Sequence, residues 1–198
     1  LDRMEATPQR QQAFFEMYRD TNRLGPPPET GEVIHEAGWA KRFGEREYEG
    51  DYRRFFEGEV RRLGAAEAQA AYLPQLIPGI AASALHAMMR LAYADLEGDD
   101  AEVATALGYW ATTFLPLRFA GKSEPITDDP AAILDRLREI DELRRVPPPE
   151  PDLLWRWMRE VARKSAFPPV VDWLRDGPGL ADRIAATSLA FYAATMTF

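Results

Sequence analysis

Apolar residues recur at steps of three and four along most of the chain, the spacing that gathers them on one face of a helix. Thr7 precedes Pro8, an N-cap hydroxyl ahead of a proline at the first helical position, and Phe14, Phe15, Met17 and Tyr18 follow until Gly25 and Pro26 to Pro28 end the helix. A linker runs on to about Gly38. The next helix has the heaviest aromatic face: Tyr48, Tyr52, Phe55, Phe56, Val60 and Leu63 line one side, arginines and glutamates such as Arg53, Arg54, Glu57 and Glu59 the other, and Gly64 stops it. Ala65 to Leu73 predicts a further helix ahead of Pro74. The almost wholly apolar stretch from Pro78 to Leu96 predicts one long buried helix ended by Gly98. Asp99 or Asp100 caps the helix after it, which carries Val103, Leu107, Tyr109, Trp110 and Phe114 up to Pro116.

The second half is more broken. Arg118 to Asp129, with Gly121, Ser123 and Pro125, reads as a surface loop. Asp129 and Pro130 start a helix with Ile133, Leu134, Leu137 and Ile140 on one face. Val146 to Pro151 (VPPPEP) is a stiff spacer, and Asp152 caps a helix bearing Leu154, Trp155, Trp157, Met158 and Val161. A short helix around Val170 to Leu174 and a last apolar helix from near Leu180 complete the pattern. No strand alternation longer than a few residues occurs. The expectation is an all-α fold, one domain of seven to nine helices over residues 1–198 with a proline-rich spacer at 146–151. The aromatic segment after the spacer, about fifty residues, is too short to stand alone comfortably.

Composition narrows the chemistry. A chain of 198 residues without cysteine offers no disulfide, thiolate nucleophile or sulfur-ligated metal. Its 24 basic and 32 acidic residues give a net charge of −8, and the cations form no run, which argues against nucleic acid. The apolar stretch Tyr72 to Leu96 contains Gln75, Pro78, His86 and Arg90, all costly in hydrocarbon, so no membrane span is expected and a cytoplasmic location is the default. The chain opens on Leu1 and closes on the apolar run AFYAATMTF, which suggests a piece of a longer protein. The alternative is a natural end buried against a partner subunit, as in a homo-oligomer.

On a continuous helix from Pro78 to Leu96, Gly79, Ser83, His86, Arg90 and Tyr93 would form a single polar stripe at steps of four, three, four and three. Buried polar groups need partners, since an unpaired one costs about 1–3 kcal/mol. The stripe is therefore either a pocket wall or a set of satisfied core groups, with Arg90 paired to a carboxylate of a neighbouring helix. Residue types alone favour the second reading. In the first, His86 carries protons or binds a metal, Arg90 holds an anionic substrate group and Tyr93 stacks or donates. His35, beside Glu32 and Glu36, reads as a solvated loop residue. The Trp155 and Trp157 pair and the aromatic face from Tyr48 to Phe56 read as core. No glycine-rich phosphate loop and no nucleophile elbow is present.

The run Trp39-Ala-Lys-Arg-Phe-Gly44, then Tyr48, then Asp51-Tyr52-Arg-Arg-Phe55-Phe56, then Leu76-Ile-Pro-Gly-Ile-Ala-Ala-Ser-Ala-Leu-His86 and Ala106-Leu-Gly-Tyr-Trp110 resembles the questin oxidase-like family in order and gaps, over about half the chain. The resemblance implies an oxygenase-type oxidoreductase: oxygen-dependent oxidation or ring cleavage of an aromatic, anthraquinone-like small molecule of secondary metabolism, with NADPH as electron donor. It also implies histidine ligands for non-haem iron or another divalent metal. His86 stands at the family's central-helix histidine and is the implied catalytic residue and metal ligand. By their own chemistry on the stripe and beside it, Ser83, Met89, Arg90 and Tyr93 are the expected substrate contacts, thioether and aromatic groups packing against a flat ligand. Arg90 and Tyr93 occupy positions where relatives carry second histidines, so further ligands would come from outside this sequence. The competing expectation is a catalytically silent helical binding or scaffold protein.

Overall fold

The computed structural model describes residues 6–22, 25–117, 124–150 and 153–195. Among these residues the fold is all-α, with ten α-helical segments: α1 (Pro8–Asn22), α2 (Glu49–Leu63), α3 (Ala65–Leu76), α4 (His86–Glu97), α5 (Asp100–Thr113), α6 (Pro130–Leu137), α7 (Asp141–Arg144), α8 (Leu154–Ala162), α9 (Phe167–Asp172) and α10 (Leu180–Thr195). Short 3-10 turns at Glu36–Arg42, Arg46–Tyr48 and Ile77–Gly79 join them. None of the helices is long and apolar enough to cross a membrane.

Several helix starts follow the local chemistry that predicts them. Thr7 Oγ1 accepts from Arg10 N at 3.3 Å. Asp99 accepts from the amides of Ala101 and Glu102, each at 3.0 Å, and Asp129 from Ala131 N at 2.9 Å. These carboxylates satisfy amides that have no partner inside the helix, and their charge meets the positive end of its dipole. Asp152 and residues 118–123 of the expected loop lie outside the described residues.

The core is built on α5, which packs against α2, α3 and α4. Its Val103, Ala104, Ala106, Leu107, Trp110 and Ala111 are buried. Gly108 lets α2 come in at backbone distance: a Cβ there would stand 3.1 Å from Arg53 N. Against this pair, Trp39 from the first 3-10 turn sits among Phe43, Phe56 and Tyr72 in edge-to-face contacts, with centroids 4.7, 5.7 and 4.9 Å away. The expected aromatic core is thus present, anchored by the Tyr52 hydroxyl donating to Trp39 O. Tyr72 donates to Glu59 Oε2 at 2.6 Å, and burial, then Glu59, raise its pKa well above the ordinary tyrosine value. Glu59 is held below the usual carboxylate range by its hydrogen bonds from Arg62 and Tyr72, against the opposing effect of burial. Trp155 and Trp157 are only partly buried and lie outside this core.

The expected helix from Pro78 to Leu96 does not form as one piece. Residues 78–80 are committed elsewhere: Leu117 N donates to Pro78 O at 3.1 Å, Trp110 Nε1 donates to Gly79 O at 3.1 Å, and Ile80 bridges to Leu115. Gly79 lies under the Phe114 ring, where a Cβ would stand 2.2 Å from Cδ2. The chain then turns through Ser83, Ala84 and Leu85, at φ +47°, +56° and +68°, before α4 begins at His86. Three consecutive left-handed residues without glycine are costly, roughly 1–2 kcal/mol each. In smaller departures, α3 runs through Pro74 to Leu76, α5 ends at Thr113, and Ile140 caps α7 instead of extending α6.

Candidate functional site

Helix α4 directs Ala87, Leu91 and Ala94 into the core, at steps of four and three. The adjoining row of the helix, His86, Arg90 and Tyr93, together with Met89, therefore faces the edge, where the turn at Gly98 brings α5 back alongside. These four side chains line one open groove of about 400 Å³, whose other wall includes Glu97, Asp99 and Glu102. The structure corrects the expectation of a buried stripe: His86 and Met89 are exposed, Arg90 is part-buried and Tyr93 is 69% exposed. The correction has one cause, the break before His86, which leaves α4 at the surface of the bundle instead of threading its centre.

His86 Nδ1 lies 2.6 Å from Ser83 O. A carbonyl only accepts, so Nδ1 carries the proton and Nε2 of the neutral ring is left as an acceptor. The left-handed run supplies this carbonyl and so fixes the tautomer. Ser83 itself lies outside the groove. Its hydroxyl is 2.5 Å from that of Tyr109, which ties the strained turn to α5. Gly79 is buried under Phe114, away from the groove.

Arg90 reaches across the α4–α5 turn to Glu102, donating from Nε at 3.1 Å and from Nη2 at 2.9 Å. The expected carboxylate partner from a neighbouring helix is therefore present. The separation of twelve positions from Arg90 to Glu102 was a legible signal, because a tight turn at Gly98 and Asp99 sets those two residues opposite each other. The groove wall carries three carboxylates, Glu97, Asp99 and Glu102, against the single guanidinium of Arg90, so it disfavours an anionic ligand. Arg90 Nη1 has no hydrogen bond to any described residue.

The described residues do not fit a complete metal centre. No group of three or more histidine, aspartate or glutamate side chains converges among them. His86 offers one nitrogen, Asp99 is engaged as a helix cap, and Glu102 is held by Arg90. His35 is exposed in the linker as expected, and its neighbour Glu32 pairs with Arg42 at 3.1 Å. A second groove, of about 420 Å³ between α6, α9 and α10, is lined by Ile133, Leu134, Val170, Ile184 and Phe191 with no titratable side chain.

A polar feature that the sequence did not reveal is Asp51, whose buried carboxylate accepts from Thr30 N at 2.8 Å, Thr30 Oγ1 at 3.1 Å, Gly31 N at 3.0 Å and Arg54 Nη2 at 2.6 Å. It clasps the Pro-rich linker to α2, and every contact is spoken for, so it is structural.

No curated protein sequence and no solved structure shows a significant match to this chain. The questin oxidase-like family matches residues 1–195, nearly the whole length, which bears out the likeness carried by the Trp39 to Trp110 motifs and points to an oxidoreductase-type function. On that match, the chain belongs to the questin oxidase-like family.

Proposed function

We propose that this protein is an oxidoreductase that binds a hydroxylated aromatic molecule, anthraquinone-like in shape, in the α4–α5 groove. The observation that carries the reading is the strained turn Ser83–Leu85, which delivers His86 with Nδ1 protonated and Nε2 available beside Met89, Arg90 and Tyr93. Strained non-glycine backbone persists where its surroundings over-determine it, and functional sites are where it concentrates. In this reading a phenolic hydroxyl of the ligand donates to Nε2 and passes its proton there. The free Nη1 of Arg90 donates to the oxygen that gains charge, and Met89 and Tyr93 cover the ring faces.

An ordinary phenol at about 10 and an imidazole at about 6.5 differ by about 3.5 pKa units, or about 5 kcal/mol. A guanidinium near the new phenolate offsets roughly 1–3 of those units. The phenolate is richer in electrons than the phenol and is the better partner for dioxygen. Dioxygen then supplies one oxygen atom to the product and one to water, with two electrons from a reduced nicotinamide. The scaffold alternative is favoured by one observation, the Arg90–Glu102 ion pair, which gives Arg90 a structural role without any ligand.

Oxygen uptake with a hydroxyanthraquinone and NADPH separates the two readings. Uptake that falls about 10²–10⁴-fold in His86→Ala supports the enzyme, in line with the loss of a positioned acid–base group. No uptake by the intact protein, or uptake unchanged in that variant, rejects the role given to His86.

A further inference from the structure

A second site lies where α8 meets the 3-10 turn at Arg46–Tyr48. Arg46, Arg156 and Arg159 surround the indole of Trp155, their guanidinium carbons 4.4, 5.2 and 4.9 Å from its centroid. A cleft of about 520 Å³ opens beside them, with Arg159, Arg163 and Lys164 on one side and Phe114, Leu115 and Pro168 on the other. A smaller hollow lined by Arg46 and Trp155 adjoins it, sharing Arg159, Phe114 and Leu115. Among the described residues no carboxylate lines either hollow, in a chain of net charge −8.

The cations there are under-compensated. The Arg159 guanidinium makes no hydrogen bond to any described residue, and its Nε is buried without an acceptor. Glu160 stands 3.9 Å from that Nε, beyond hydrogen-bond reach, and 3.3 Å from Arg163 Nη1. Glu142, the other nearby acid, is occupied by the amides and hydroxyl of Ser165 and Ala166. The side chains of Arg46 and Lys164 have no ion pair or hydrogen bond among the described residues. Basic residues at the end of α8 suit the helix dipole, but the dipole does not satisfy a buried Arg159 Nε. Burial, then the charge of Arg163, press the Arg159 pKa below the ordinary arginine value, the mark of a site short of negative charge.

We propose that this cleft binds the phosphate group of a small organic phosphate, seated on Arg159, Arg163 and Lys164 with its carbon portion against Phe114, Leu115 and Pro168. A phosphate dianion matches several cations at once, and its oxygens accept from the Arg159 guanidinium and the Lys164 ammonium, neither of which has an acceptor within hydrogen-bond distance among the described residues. The site is separate from the His86 groove, and its existence does not depend on the reaction proposed there.

The test is calorimetric titration of the intact protein with inorganic phosphate at constant ionic strength set by chloride, with malonate as the dicarboxylate arm. Saturable phosphate binding is expected, weakened about tenfold or more in Arg159→Gln, weakened also in Lys164→Gln, and unchanged in Arg138→Gln on the exposed face past α6. Circular dichroism checks that each variant is folded. The Lys164 ammonium makes no hydrogen bond among the described residues, so its variant carries the test should Arg159→Gln unfold. Absence of saturable heat, or full affinity in either cleft variant, overturns the proposal. Malonate binding as tightly as phosphate overturns the phosphate assignment.

Discussion

Replacing Ala84 by glycine gives the sharpest test of the strained turn, because the same substitution should have opposite effects on the two sides of His86. Ala84 sits at φ +56°, where an L side chain costs roughly 1–2 kcal/mol and glycine nothing. Glycine also loses more backbone freedom on folding, roughly 0.5–1 kcal/mol, so Ala84→Gly should be neutral or stabilising by up to about 1.5 kcal/mol. Ala92 is an exposed alanine inside α4, with no cavity to confuse the comparison. There Ala92→Gly should cost about 1 kcal/mol from helix propensity alone. The predicted gap, about 1–2.5 kcal/mol, amounts to several degrees in Tm at roughly 2–4 °C per kcal/mol for a chain of this size. Urea denaturation followed at 222 nm measures it. Equal destabilisation by the two variants would refute the claim that the turn stores strain. Oxygen uptake on the same samples reports whether relaxing the turn also slackens the Ser83 carbonyl that fixes the His86 tautomer.

Gly79→Ala should destabilise by about 1–3 kcal/mol, because its Cβ meets the Phe114 ring, and Phe114→Leu in the same chain should restore part of the loss in a double-mutant cycle; strictly additive effects would contradict the contact. Asp51→Asn should leave at least one linker amide without its acceptor, costing about 1–3 kcal/mol and exposing the segment around Thr30 to limited proteolysis; an unchanged cleavage pattern would speak against the clasp. The contribution of Glu59, whose folded pKa is depressed, is fully present above its unfolded value near 4.3 and is lost as pH falls through the lower folded value. Glu59→Gln should therefore flatten the stability profile below about pH 4.5, and parallel profiles for variant and parent would dismiss that role.

Much of the fold was legible because the sequence states its punctuation openly. Gly64 and Gly98 end helices, and Asp99, Asp129 and Pro130 start them, through local chemistry that needs no tertiary partner. The aromatic face of α2 was readable for the same reason, since helical spacing alone gathers it. The break between Pro78 and His86 was not. It arises from Phe114, Trp110 and Leu117, which hold residues 78–80 from more than thirty positions away, and Ser83, Ala84 and Leu85 give no local sign of left-handed backbone. The site inherits that error in part. His86, Met89, Arg90 and Tyr93 do share one groove, because their mutual spacing lies wholly within α4, whereas Ser83 and Gly79 fall on the far side of the break and leave the stripe. The cationic cleft at α8 was hidden for a simpler reason: Arg46 and Arg159 are distant in sequence, and each alone reads as a solvated surface charge.

The close approach of α2 and α5 at Gly108 bears on the order of assembly. Helices α4 and α5 meet across a short turn, a contact that closes early at small entropic cost, while the α2–α5 contact must enclose a loop of some forty residues between them. On that ordering the hairpin carrying Arg90 and Glu102 condenses first, and the rate-limiting encounter is the docking of α2, with its aromatic face, onto the groove that Gly108 leaves open. A bulkier side chain at position 108 would then slow folding more than it speeds unfolding, the kinetic signature of a contact already present in the transition state.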